Sequence, residues 1–189
     1  MDFSHCLNTE AILANFRAIY DILGDGKVTY CHEGDIALQW RFQVVFFPLM
    51  AILEGGVRFP VDPLILRTLR FYGLCPDQLP PNFYRVVSCV SRLNYLYGLP
   101  LDYHDINFMY SLCSNIRITY YLKVRDVRVR LISCLPDSNR NSAGEHVCVS
   151  GNWHANKLTY PTSSRDVGRY HVHLILFLFW CGLFVFVVV

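Results

Sequence analysis

Arg117, Lys123, Arg125, Arg128 and Arg130 crowd into one short stretch, and Asp126 is the only acid among them. Tyr110, Tyr120 and Tyr121 lie beside or within it. Guanidinium groups pair with phosphate oxygens and phenol rings stack on unpaired bases, so this combination suits RNA or DNA. The same residues would equally serve as the charged, solvated edge of a small sheet, which keeps it from pairing with another chain. The expected nucleic-acid contact residues are therefore Arg117, Lys123, Arg125, Arg128 and Arg130, forming a local patch rather than a basic domain.

Other chemistries find weaker footing. Metal-dependent phosphoryl transfer needs spaced carboxylates that hold divalent ions. Asp102, Asp105 and Glu145 can be drawn as such a set, but Asp102 reads more simply as a helix cap and Asp105 as a first-turn acid. A zinc site needs closely spaced ligand pairs, whereas the cysteine gaps run from 14 to 44 residues. His146, Cys148 and His154, with Cys134, form the only dense set, and a small apolar Cys beside a surface His explains it better. Cys75 and His104 have nothing in the sequence that links them as a thiol–imidazole pair, and Cys89 and Cys113 fall where helix packing is expected. Gly24-Asp25-Gly26 lacks the further glycine and lysine of a phosphate-binding loop and reads as a turn. The expectation is a protein without catalytic residues, cofactor, metal or small-molecule substrate.

Composition sets the frame for these residues. The 189-residue chain is 53% hydrophobic, 15% aromatic and 17% charged, which excludes a disordered polymer and allows one domain with a real core. Fourteen of its seventeen basic residues are Arg, and the formal net charge is +2. Residues 1–10 lack the basic-then-apolar pattern of a secretory signal, so the eight cysteines are expected as thiols and the main body in the cytoplasm or nucleus.

Helical spacing runs from Ile12 to Leu23 behind Asn8-Thr9, and Lys27 to Asp35 reads as a polar connector. A second apolar run, Ile36 to Leu53, is expected to be helical with Pro48 interrupting it. Asp62-Pro63 starts a short helix that Gly73 stops. Asn82 is expected to cap a longer helix, buried through Phe83, Val86, Val87, Val90, Leu93 and Tyr97 up to Gly98, and Asp102 to cap another reaching Ser114. Beyond Asn115 the period becomes two, with strands at Ile116–Lys123 and Val127–Ile132 forming a hairpin and a third strand at Glu145–Ser150. The fold class is thus α+β: a mainly helical body of four to five helices, then a small antiparallel sheet, plus an apolar C-terminal segment.

Residues 174–189 hold no charge and, as a helix, would span about 24 Å, or about 27 Å counted from Val172, slightly short of a bilayer core. They read as a membrane anchor flanked by Arg165, Arg169, His171 and His173, or as a strand of a core. The chain divides into an N-terminal helix and connector (1–43), an α+β domain (44–153), a polar linker (154–173) and the apolar tail (174–189).

An ordered series of Pro, Gly and Asn positions in 44–153 resembles the plant gypsy-type transposon family, a retrotransposon-derived domain. Gly56-Val57-Arg58-Phe59-Pro60 with Pro63, and Leu74-Cys75-Pro76 with Gln78-Leu79 and Pro81-Asn82, are similar to two of its motifs. Leu131-Ile132, Leu135-Pro136 with Ser138-Asn139-Arg140, and Val149-Ser150-Gly151 with Trp153 are similar to its later ones. Tyr84 stands where that family has Trp, Asn141–Glu145 replaces an aromatic-basic run, and the apolar tail has no counterpart, as in a decayed or truncated copy. The resemblance implies element origin and a non-catalytic, gag-like role with weak RNA or DNA affinity and self-association. The rival expectation is a tail-anchored membrane protein with a vestigial cytosolic domain.

Overall fold

The computed structural model describes residues 10–19, 26–32, 44–114, 119–128, 131–135, 145–151 and 153. Over these the chain is α+β, with five helices and two antiparallel sheets. The elements run α1 (Glu10–Ile19), β1 (Gly26–His32), β2 (Val45–Pro48), α2 (Leu49–Leu53), α3 (Pro63–Tyr72), a 3-10 turn (Pro76–Gln78), α4 (Pro81–Tyr97), α5 (Tyr103–Met109), β3 (Tyr110–Ser114), β4 (Tyr120–Val124) and β5 (Glu145–Gly151). The expected cap at Asn8-Thr9 and the apolar segment 174–189 lie outside the described residues.

The helix signals act largely as expected. The Asp62 carboxylate accepts the Leu64 N–H at 2.7 Å, Pro63 occupies the first turn, and Gly73 leaves α3 at φ 63°. Asp62 also accepts the Ser91 hydroxyl, tying the start of α3 to α4. Asp102 accepts the His104 N–H at 2.7 Å while Asp105 accepts the Asp102 N–H at 2.8 Å, a reciprocal cap on α5. Asn82 does not cap α4: the helix begins at Pro81, and Asn82 instead accepts from Arg85. Tyr97 also departs from expectation, because the last turn of α4 projects beyond the core and leaves Tyr95, Leu96 and Tyr97 in solvent.

The sheets differ from the expected plan. Lys27 to Asp35 is not merely a connector, since Gly26–His32 forms β1, and Val45–Pro48 is strand rather than helix, with Pro48 marking the switch to α2. Both pair with β5, which lies at the centre of a β1-β5-β2 sheet, so Glu145–Gly151 does not extend the hairpin. Val28, Val45, Phe47, Val147 and Val149 bury one face of this sheet in the main core, while Cys31, Phe46 and Cys148 are buried on the other. All four residues of β2 are buried, which removes the apolar-polar alternation that would reveal it as a strand in the sequence.

The hairpin exists, but with a shifted partner. α5 ends at Met109, and Tyr110–Ser114 becomes the strand that pairs with Tyr120–Val124, with Tyr110 opposite Val124 and Ser114 opposite Tyr120. Tyr110, Leu112, Leu122 and Val124 face the core, which rules out continuing α5 to Ser114. Asp126 to Arg128 is a turn, not the start of a second strand.

Two positions test this packing. A Cβ at Gly55 would lie 2.4 Å from the Ala51 carbonyl oxygen and 2.9 Å from the Tyr84 Cβ, both fixed atoms, whereas Gly98 sits at φ 61° with open space around it. Gly55→Ala should therefore cost about 1–3 kcal/mol by overpacking. Gly98→Ala should cost only about 1 kcal/mol of backbone strain, and urea unfolding of the two variants would separate these values.

Asp77, in the 3-10 turn, has one carboxylate oxygen buried and without a hydrogen-bond partner among the described residues, close enough to Tyr84 to act on its phenol. Burial pushes its carboxyl up to about 6, against the opposing pull of the Asp77 and Gln78 backbone N–H groups. Because the folded chain holds this proton more tightly than the unfolded one, stability from it is full below about pH 4 and is lost as pH rises through about 6. Asp77→Asn, which keeps an acceptor and removes the charge, should stabilise the fold by on the order of 2 kcal/mol at pH 7.5. The gain should vanish near pH 4, as melting temperatures at the two pH values would reveal.

Candidate nucleic-acid interface

Of the five basic residues singled out by sequence, Lys123, Arg125 and Arg128 are described, while Arg117 and Arg130 lie outside the described residues. Strand alternation places Lys123 on the outer face of β4 beside Tyr121, with Ser111 and Cys113 opposite them on β3. Lys123 is exposed and Tyr121 is 36% exposed. This outer face can offer one ammonium and one ring to a passing strand.

Arg125 is committed to the fold. Its backbone N–H donates to the Met109 carbonyl at 3.0 Å, and its Nε donates to the Asn107 and Tyr110 carbonyls at 3.1 and 3.2 Å. The residue thus closes the C-terminal end of α5, where carbonyls lack helical partners and cationic groups are favoured. Tyr72, whose hydroxyl donates to Asn107 at 3.3 Å, has its phenol pushed up to about 12 by burial, with Arg125 pulling the other way. Arg128 is exposed, but its Nε and Nη2 hold the two Asp126 oxygens at 3.1 and 2.8 Å. The Arg128 hydrogen bonds hold the Asp126 carboxyl down at about 2, so the carboxylate stays charged and competes with any phosphate for the same fork.

The tyrosines divide in the same way. Tyr110 is 1% exposed and is part of the core, so it cannot stack on a base, and Tyr120 is half-buried against the same core. Tyr121 alone of the three presents its ring outward. The structure therefore leaves Lys123 and Tyr121 on the outer face of the hairpin and Arg128 exposed beyond β4, engages Arg125 with the end of α5, and buries Tyr110.

The other chemistries receive equally definite placements. Asp102 and Asp105 are caps on α5, and Glu145 begins β5 in the other sheet. Among the described residues no group of three His, Cys, Asp or Glu side chains could hold a metal ion; His146 and Cys148 are buried on β5, Cys134 is exposed, and His154 lies outside. Cys75 is fully buried at the start of the 3-10 turn, with its N–H donating to Gln78 Oε1 at 2.9 Å. Cys89 is exposed on α4 rather than packed, and Cys113 stands on a strand. Among the described helices none is long and apolar enough to cross a membrane.

The sequence reading passed over Arg67 and Arg70. Both are exposed on α3, and neither guanidinium has a partner among the described residues. Their signal was present as basic positions on the polar side of an amphipathic helix, but a solvated helix face gives the same pattern. Comparison of the chain with protein-family models, with curated proteins and with solved structures finds no match.

Proposed function

We propose that this chain is a non-enzymatic protein of retrotransposon origin, a gag-like interaction module with weak affinity for RNA or DNA. The observation that carries the binding part is the outer face of the β3–β4 hairpin, where Lys123 and Tyr121 face solvent together, with Arg128 exposed four residues after β4. A cation beside a ring suits a phosphate and its neighbouring base, and such contacts are sequence-tolerant.

Support for the origin comes from where the resembling segments lie. Phe59, from the first motif, and Trp153, from the last, both set their rings against Phe47 at 5.6 and 5.8 Å, and the Val61 N–H donates to the Trp153 carbonyl at 2.9 Å. Segments far apart in sequence that share one packing unit are constrained together, as motifs of one inherited domain would be. The non-catalytic reading is supported by the structural roles of the acids and thiols: Asp62, Asp102 and Asp105 are caps, and Cys31, Cys75 and Cys148 are buried.

Binding to labelled single-stranded RNA, measured across a salt series, tests the hairpin. Lys123→Ala should weaken binding and lower the salt slope by about 0.7, the value for one lost single-strand phosphate contact. Asp126→Asn should strengthen binding several-fold by releasing the Arg128 fork. Unchanged affinity and slope in both variants would reject the hairpin as the binding surface.

A further inference from the structure

Arg67 and Arg70 belong to a second surface, built where α3 meets α5. The Phe71 ring lies 4.9 Å from that of Tyr103 and 5.6 Å from that of His104, and the Tyr103 and His104 rings are 4.3 Å apart. Phe108 follows His104 one turn later on the same face of α5. Phe71 is 42% exposed and Phe108 79% exposed, so the row is open to solvent despite its apolar character. Arg67 precedes Phe71 by one turn on α3, and Arg70 is its immediate neighbour.

Charge decides what fits here. The acids in the first turn of α5, Asp102 and Asp105, accept backbone N–H groups in the cap, whereas both α3 guanidinium groups are unengaged among the described residues. On the hairpin, by contrast, Arg125 and Arg128 are already held. Exposed rings beside uncommitted guanidinium groups match a chain of phosphates carrying flat, unpaired bases. An apolar partner would leave Arg67 and Arg70 without counter-charge.

We infer that the α3–α5 surface binds single-stranded nucleic acid, stacking unpaired bases on Phe71, His104 and Phe108 while Arg67 and Arg70 hold the flanking phosphates. This rests on the reading of the chain as a nucleic-acid-binding module but uses a surface separate from the hairpin, and the two can fail separately.

Fluorescence anisotropy at low salt, with a labelled oligothymidylate and an abasic strand of the same length, tests it. The full chain should prefer the base-bearing strand by roughly fivefold or more, the contribution of one stacked base. Phe108→Ala, at an exposed ring, and Phe71→Leu, which keeps apolar packing, should each reduce that preference. Lys123→Ala should leave it intact. Replacing Arg67 and Arg70 together by Ala should weaken binding to both strands and flatten its salt dependence.

Equal affinity for the two strands would overturn the inference, as would a preference that survives both ring substitutions. Loss of binding only on Lys123→Ala, with all α3 and α5 variants silent, would leave the hairpin reading standing and remove this one. A dimer that Phe108→Ala dissociates, with no oligonucleotide affinity in the monomer, would reassign the surface to a second copy of the chain.

Discussion

Phe47 is the point through which distant parts of the chain hold one another. It is fully buried on β2, pairs across the sheet with Val147, and sets its ring against Phe59, Tyr84 and Trp153. These partners come from the loop before α3, from α4 and from the residues just after β5. Edge-to-face and tilted aromatic contacts add directional preference to the burial of large apolar area. Tyr84 is itself anchored, its hydroxyl donating to the Pro76 carbonyl at 2.7 Å, so the 3-10 turn belongs to the same unit. With β5 placed between β1 and β2, the long excursion through the helices and hairpin is bracketed by one sheet.

Around this core several arginines serve the backbone. Arg58 donates to the Ile52 and Val57 carbonyls, Arg85 to the Glu54 carbonyl and carboxylate, Arg17 to the Val28 carbonyl, and Arg125 to the end of α5. A planar guanidinium with several donors can join elements whose carbonyls would otherwise lack partners. An arginine-rich composition therefore overstates the positive surface available to a ligand. Among the described residues, Arg67 and Arg70 on α3 and Lys123 on β4 are exposed cations that the fold does not use in this way.

The helical grammar was largely legible. Asp62-Pro63, Gly73, Gly98 and the Asp102–Asp105 pair act through contacts within a few residues, and local contacts can be read from local sequence. The hairpin was half legible: Tyr120, Leu122 and Val124 show the alternation, but its partner Tyr110–Ser114 followed a helix without a break and looked like its continuation. β2 was illegible because a strand buried on both faces carries no alternation, and the pairing of β1 and β2 with β5 spans more than ninety residues of sequence. Among the basic residues chosen from sequence, spacing could not tell that Arg125 donates to carbonyls at the end of α5 or that Asp126 holds Arg128.

By itself, then, the sequence determined the class of fold, the limits of α3, the end of α4, and the supply of rings and guanidinium groups, since these depend on composition and on interactions a turn or less apart. Tertiary structure alone decided which strand lies at the centre of the sheet, which tyrosine is core and which is surface, and which cations remain uncommitted. Those outcomes depend on which backbone carbonyls and apolar faces come within reach once distant segments have packed, and no local pattern encodes that distance.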